Sequence, residues 1–304
     1  MYRIIIILHF LLLSVTNCLS QAIPDSLFLP AIADPIYPSS SGPVIHIDEA
    51  HHNYHTAAER FFPFAKCLQA DGYRIAVNKN RFTPESLEGI KILVISNAIH
   101  QNNLHSWNNP VLSAFDSSEV SVLQEWVENG GRLFLIADHM PFGGAARELA
   151  SVFGFELCNC FAMDSRKRRI EYFTRSEAGL SDNDWTREDY PSGELDSIVS
   201  FTGSAFKIPK QAIPVLKLND YRILSPEQAW QFNENTKEES SEDYYQLAVL
   251  KYGNGKVILS GEAAMFTAQL AGATKVGMNS EEAKHNISLL RKLMRWLSKD
   301  LPQQ

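Results

Sequence analysis

Between residues 44 and 157 two hydrophobic patterns take turns. Apolar runs with little or no polar interruption occur at 44–47, 73–77, 92–96 and 133–137, as expected of strands covered on both faces. Between them apolar residues recur at helical spacing. Ala57, Phe61, Phe64, Ala65 and Leu68 do so over 56–70, with Pro63 falling in the early turns or kinking them. Val120, Leu123, Trp126 and Val127 follow an Asp116/Glu119 capping box and stop at Gly130-Gly131, and Ala146, Leu149, Ala150 and Phe153 form a third set. Thr83-Pro84 has a cap residue followed by proline at the first helical position, which predicts a short helix there. The order β-α-β-α-β-α-β-α implies a parallel sheet with right-handed crossovers.

Beyond Asn159 the pattern weakens and charges rise, so 159–195 reads as an insertion over the sheet edge. Apolar segments at 198–201, 206–208 and 212–218 predict antiparallel edge strands, and the acidic stretch 233–243 a surface loop. Strands at 245–252 and 256–260 flank Gly253-Asn254-Gly255, a hairpin signal. The periodicity of Ile287, Leu290, Leu293, Met294 and Leu297 predicts a last helix, Asn286–Ser298, with Asn286 as its cap. The expected architecture is a single α/β domain over 43–300: a three-layer, flavodoxin-like, mostly parallel sheet with helices on both faces and an antiparallel edge extension.

Composition narrows the function classes. The start, Met1-Tyr2-Arg3 followed by an apolar run at 4–13 and by Cys18-Leu19-Ser20, reads as a signal peptide over 1–20 cut after Ser20. The run is short for a membrane span, and a lipid anchor on Cys18 is the alternative. The expected location is secreted or periplasmic, with no transmembrane helix after cleavage and a Pro- and Ser-rich extended lead-in over 21–42. A net charge of −7 with both signs interspersed excludes a nucleic-acid binder, and Arg166-Lys167-Arg168-Arg169 reads as a solvated helix end. Cys67, Cys158 and Cys160 permit one disulfide and leave an odd thiol. Cys158-Asn159-Cys160 fits neither a zinc ribbon nor an unstrained loop of its own, and Cys67 on its helix reads as buried and inert.

In open α/β sheets ligands gather where parallel strands end and helices begin. Three strand ends carry titratable groups: His46, Asp48, Glu49, His51 and His52 from the first, Asp138 and His139 from the fourth, Glu262 from a late strand. Strand alternation sets His46 and Asp48 on one side. Two arrangements use these groups. A divalent metal, Zn, Mn or Ca, has candidate ligands in His46, Asp48, His51, Asp138 and His139. Without a metal, Asp138 or Glu262 orients His139 as a general base, while Gly143-Gly144 at a helix start offer N–H groups to an anion. The candidate catalytic set is Asp48, Asp138, His139 and Glu262, and the candidate ligand-binding set is Glu49, His52, Asn97, Gly143 and Gly144. Against both stands the reading that these side chains cap helices and tie strand ends together, with the glycines serving close packing. Ser96 and Ser260 end strands, but there is no Gly-x-Ser-x-Gly elbow. His55, His100 and His105 read as solvated loop histidines.

A bend after Glu-Trp-Val-Glu-Asn-Gly-Gly-Arg-Leu, Asp48 closing the first strand, and the phrases Ala-Asp-His-Met-Pro-Phe and Gly-Glu-Ala-Ala-Met-Phe, with Gly-Met-Asn at 277–279 and Asn286 after them, resemble the class I glutamine amidotransferase-like superfamily. The resemblance is to its uncharacterised secreted branch and covers most of the chain from residue 44. It implies the fold more than the chemistry. Amidotransferases place a nucleophilic cysteine between glycines at this bend. Here Asp138, His139 and Met140 stand there, so glutamine hydrolysis is not expected. Two functions follow as expectations: an exported hydrolase-like protein acting on or binding a polar, carbohydrate-derived small ligand, or a non-catalytic ligand-binding or assembly domain.

Overall fold

The computed structural model describes residues 22–168, 170–188 and 194–301. The expected signal peptide, and Arg169 of the basic cluster, lie outside the described residues. The chain is α/β, built on one mixed sheet of nine strands: β1 Val44–Asp48, β2 Arg74–Asn78, β3 Ile92–Ser96, β4 Arg132–Ile136, β5 Glu156–Leu157, β6 Phe206–Lys207, β7 Ile213–Lys217, β8 Tyr245–Tyr252 and β9 Gly255–Ser260. Its order is β2-β1-β3-β4-β9-β8-β6-β5, with β7 also on β8. The first five strands in that order run parallel, and β8, β6, β5 and β7 continue the sheet antiparallel.

The helices are α1 Phe62–Ala70, α2 Ser117–Glu128, α3 Phe142–Ser151, the single turn α4 Asp184–Arg187 and α5 Asn286–Ser298. Strand alternation sorts the apolar side chains into two cores. Ile45, Ile47, Val94, Phe134 and Ile258 pack with Phe64 and Leu68 of α1 and Leu290, Leu293 and Leu297 of α5. Leu93, Ile95, Leu133, Leu135 and Leu259 pack on the other side with Leu123 and Val127 of α2 and Leu149 and Ala150 of α3. Full burial of β3 and β4 explains why neither strand needs a polar face.

Helix α1 begins later than its apolar period suggests, because Pro63 lacks an N–H and fits only the first turn. The Thr83-Pro84 segment makes turns rather than the expected helix. Ser86 folds back there, its hydroxyl donating to Arg81 O at 2.9 Å. The acidic stretch read as a loop contains a strand, Lys237–Ser240, paired antiparallel with Tyr221–Ser225. The insertion also pairs: Phe161–Asp164 lies on the other side of Tyr221–Ser225, and Glu171–Thr174 pairs with Ser197–Ser200.

Cys158 and Cys160 form a disulfide with each other, against the expectation for so short a loop, and Cys67 is buried and free. The basic cluster follows a strand rather than ending a helix, and both Arg166 and Arg168 pair with Asp164 and Glu177. Asn286 is the first helical residue of α5 and not its cap; its side chain bonds to Val199 and Met265 instead. Among the described residues no helix is long and apolar enough to cross a membrane.

Candidate functional site

Ser96, Ile136 and Ser260 are level in the register of β3, β4 and β9. The chain therefore leaves the sheet at one edge three times, as Asn97, as Ala137-Asp138 and as Gly261-Glu262. Two crossing bonds weld these exits: Asn97 N–H to Ile136 O and Ala137 N–H to Ser260 O, both 2.9 Å. Asp48 ends β1 on the same edge. The expected rim is thus shared, but its groups divide into two clusters on opposite sides of the sheet.

The first cluster is a clamp facing α2. His51 Nδ1 lies 2.8 Å from Asp48 Oδ2, and its Nε2 lies 2.9 Å from Glu119 Oε1. Asn78 donates to Asp48 Oδ1, while Arg81 and the Phe82 N–H donate to Glu119. The ring of His51 stacks on Phe82, with centroids 4.6 Å apart. Burial alone would lower the His51 pKa, but the bonds and charges of Asp48 and Glu119 outweigh it and raise it. Burial opposes ionisation of Glu119 too, yet Arg81 and His51 hold its carboxyl down to about 2. A cleft of about 490 Å³ opens beside the clamp, bordered by His52, Arg81 and His100.

These contacts reassign several expected site residues. Asp48 and His51 serve the clamp. Glu49 accepts the Ala57 N–H at 2.9 Å and so fixes the approach to α1. His52 is exposed on that cleft, in left-handed backbone. His46 is half-buried on the strand, its Nδ1 without a partner and its pKa lowered by burial. Among the described residues no group of three or more His, Cys, Asp or Glu side chains is placed to hold a metal ion. The donor set expected for Zn, Mn or Ca is not assembled, because His46, the Asp48/His51 pair and the Asp138/His139 pair go separate ways.

The second cluster surrounds His139. Asn97, held at φ 47°, accepts the Asp138 N–H through Oδ1 at 2.9 Å, a conformation that asparagine tolerates better than most residues. The Asp138 carboxyl accepts the His139 N–H at 2.7 Å. Burial raises the Asp138 pKa against the opposing pull of His139 and these hydrogen bonds. Glu262 is fully buried, and its two oxygens accept the Ala264 and Met265 N–H groups, each at 2.7 Å. Burial, and then the nearby Asp138 charge, push its pKa well above the usual range. Glu171 lies behind it, pushed up to about 8 by burial and by Asp164. These neighbouring acids are held where joint ionisation is costly.

His139 itself is half-buried. Its Nδ1 lies 2.8 Å from Met140 O, so Nδ1 carries the proton of the neutral ring and Nε2 is its acceptor. The ring stacks on Phe161 at 4.8 Å, meets Trp230 edge-on at 4.7 Å, and has Trp107 and Phe142 within 6.3 Å. Trp230 is 52% exposed, so this aromatic frame opens to solvent. His55, which reads as a solvated histidine in the sequence, is buried here. Its Nδ1 lies 2.9 Å from Ser96 Oγ, and burial lowers its pKa to about 3.

Gly143 and Gly144 do not offer an anion site. The Gly143 N–H already donates to Asp138 O at 3.0 Å. Cβ atoms on the two glycines would lie 2.2 Å from Cys158 O and 2.6 Å from Asn159 Oδ1, so the segment 158–159 covers the start of α3. The frame residues Trp107, Phe161 and Trp230 escape sequence reasoning because they sit in polar or weakly patterned stretches. The visible signal was a tryptophan in each of two otherwise hydrophilic loops.

No family profile matches the sequence, and no curated protein matches it significantly. Among solved structures, the chain is similar to the mmIFT52 N-terminal domain, with a TM-score of 0.57 and 15% identity over 85% of this chain and 99% of that one. A ThuA-like protein from Bacteroides uniformis gives a TM-score of 0.45 with 10% identity over 89% and 95% of the two chains. The cytoplasmic protein STM1381 from Salmonella typhimurium gives 0.48 with 13% identity over 84% and 100%. The likeness to the first is one of fold alone.

Proposed function

We propose that the protein is exported and hydrolase-like, binding and acting on a polar small ligand of carbohydrate type at the C-terminal edge of the sheet. The fold reading that goes with this proposal is a three-layer architecture of the class I glutamine amidotransferase-like kind, without the nucleophilic cysteine. One observation carries the functional reading: His139, with Nε2 available as an acceptor, stands inside an aromatic frame that Trp230 opens to solvent. Sugar rings rest C–H faces on aromatic rings and need a few placed polar groups to orient them. In hydrolysis, His139 Nε2 takes a proton from water as the water oxygen bonds to the ligand carbon, the bond from that carbon to the leaving oxygen breaks with its electron pair staying on that oxygen, and the proton then passes from Nε2 to the leaving oxygen. The Asp138 carboxylate, beside His139, offsets the positive charge that the ring gains. Glu262 acts on this step only through Asp138. The export part of the reading rests on the leader pattern, Met1-Tyr2-Arg3 followed by the apolar run at 4–13 and Cys18-Leu19-Ser20.

The test is turnover of a panel of aryl glycosides and sugar esters by the wild-type protein, His139→Ala and Asp138→Asn. Loss of roughly a hundredfold or more in kcat, with the Tm unchanged, is expected for His139→Ala. If the wild-type protein turns over no panel member, the hydrolytic reading falls.

A second reading, a non-catalytic ligand-binding or assembly domain, is favoured by a separate observation. Asp48 and Glu262, two of the acids expected to be catalytic, have their oxygens committed to His51, Asn78 and backbone N–H groups. On that reading Trp230→Ala and His139→Ala lose binding, and no form of the protein turns over a substrate.

A further inference from the structure

Next to the aromatic frame the chain builds a cleft of about 500 Å³ whose wall is rich in carboxamides, among them Asn108, Asn109, Gln228, Gln231, Asn233 and Asn235. Clefts from about 300 Å³ upward hold small ligands. Its wall and that of the frame are the same piece of backbone. Asn108 and Gln228 are antiparallel bridge partners, the Asn109 N–H donates to Glu227 O, and the Ala229 N–H donates to Trp107 O, both at 2.9 Å. Trp107 and Trp230, the two tryptophans beside His139, are therefore next in sequence to Asn108 and Gln231 of the cleft.

The cleft is polar but nearly neutral. Its acid, Glu227, accepts from Asn109 Nδ2 at 3.2 Å, and its base, Lys237, pairs with Glu239 at 2.6 Å. Lys237 is thus ion-paired within the protein, while Glu227 is hydrogen-bonded by a wall carboxamide and keeps its charge, which disfavours an anion in the cleft. Asn109 is also braced from behind by Asn159 Nδ2 at 3.1 Å. A carboxamide offers two donors and an acceptor from one planar group, which suits vicinal hydroxyls and gives no advantage to an ion. Phe232, 39% exposed between Gln231 and Asn233, meets Phe161 edge-on at 5.2 Å and so extends the aromatic frame toward the cleft.

We propose that this cleft is a second sugar subsite, holding the ring of a neutral oligosaccharide next to the ring bound at His139. The inference rests on the reading of the His139 frame as a carbohydrate site and adds a length requirement: the preferred ligand has at least two rings and carries no charge.

The experiment is calorimetric titration of the full chain with glucose and mannose and with their β-1,4-linked di-, tri- and tetrasaccharides. Affinity is expected to rise about tenfold or more from one ring to three. The double variant Gln231→Ala/Asn235→Ala, at two exposed positions, should abolish that rise while leaving monosaccharide affinity and Tm as in the wild type. Trp230→Ala should weaken every sugar. Affinity independent of length, or a rise that survives the double variant, overturns the subsite and leaves the His139 reading standing. Absence of binding by any sugar in the series overturns both.

Discussion

His51 Nε2 lies 2.9 Å from Glu119 Oε1 and joins the end of β1 to α2 through one buried imidazole, whose other nitrogen is on Asp48. The sign of its pH dependence follows from the two shifts. The His51 pKa is raised above 6.5, so its contribution to stability is fully present below 6.5 and is lost as pH rises through the folded value. The Glu119 pKa is lowered from 4.5 to about 2, so its contribution is present above 4.5 and is lost as pH falls toward 2. The clamp should therefore stabilise most between these limits. His51→Ala leaves two buried carboxylates without their shared cation and should cost about 3 kcal/mol there, with a smaller cost at alkaline pH. Denaturant unfolding across pH checks this, and a cost that does not change with pH contradicts the clamp.

Gly143 is required by space. A Cβ would stand 2.2 Å from Cys158 O, a backbone atom that cannot swing away. Gly143→Ala should cost about 2 kcal/mol or more, seen as a lower Tm. Because the Gly143 N–H is already spent on Asp138 O, phosphate should leave the wild-type Tm unchanged. Stabilisation by millimolar phosphate that disappears in Gly143→Ala would restore the anion site.

The bond between His139 Nδ1 and Met140 O fixes a tautomer. Long-range ¹⁵N–¹H correlation spectra at a pH where the ring is neutral should show Nδ1 protonated and Nε2 bare. Ligand that engages His139 should shift Nε2 and leave Nδ1 largely in place. A proton found on Nε2 in the neutral ring removes the general base from the proposed hydrolysis.

The parallel half of the sheet is legible because uninterrupted apolar runs such as Leu133–Ile136 have few other uses, and the Asn254 hairpin because its turn residues are specific. The short helix after Thr83 misleads: local cap chemistry is present, but the segment carries too few apolar residues to dock as a helix. The site is only half legible. Sequence alternation puts acids and imidazoles at one edge, but it does not show which partner each one meets. Glu119, read only as half of a capping box with Asp116, also receives His51 and Arg81. Trp230 reaches His139 from a segment almost a hundred residues away, a distance that no local period encodes.

Asn286 gives the strongest single-residue prediction for the fold. Its Oδ1 accepts the Val199 N–H at 3.0 Å, and its Nδ2 donates to Val199 O at 2.8 Å and Met265 O at 3.1 Å, all without exposure to water. One carboxamide thus pins the start of α5 to the strand Ser197–Ser200 and to the turn that follows Glu262. Asn286→Ala orphans a buried N–H and two carbonyls, and at about 1–3 kcal/mol for each unsatisfied buried group the loss should be at least about 2 kcal/mol. Asn286→Asp keeps the acceptor for Val199 but points an acid at Val199 O and Met265 O, so it should be no less damaging. Because Met265 also supplies an N–H to Glu262, either change should speed amide hydrogen exchange at Met265 before the sheet opens. Exchange at Met265 that slows or stays fixed in both variants would separate Asn286 from the support of Glu262 and Asp138.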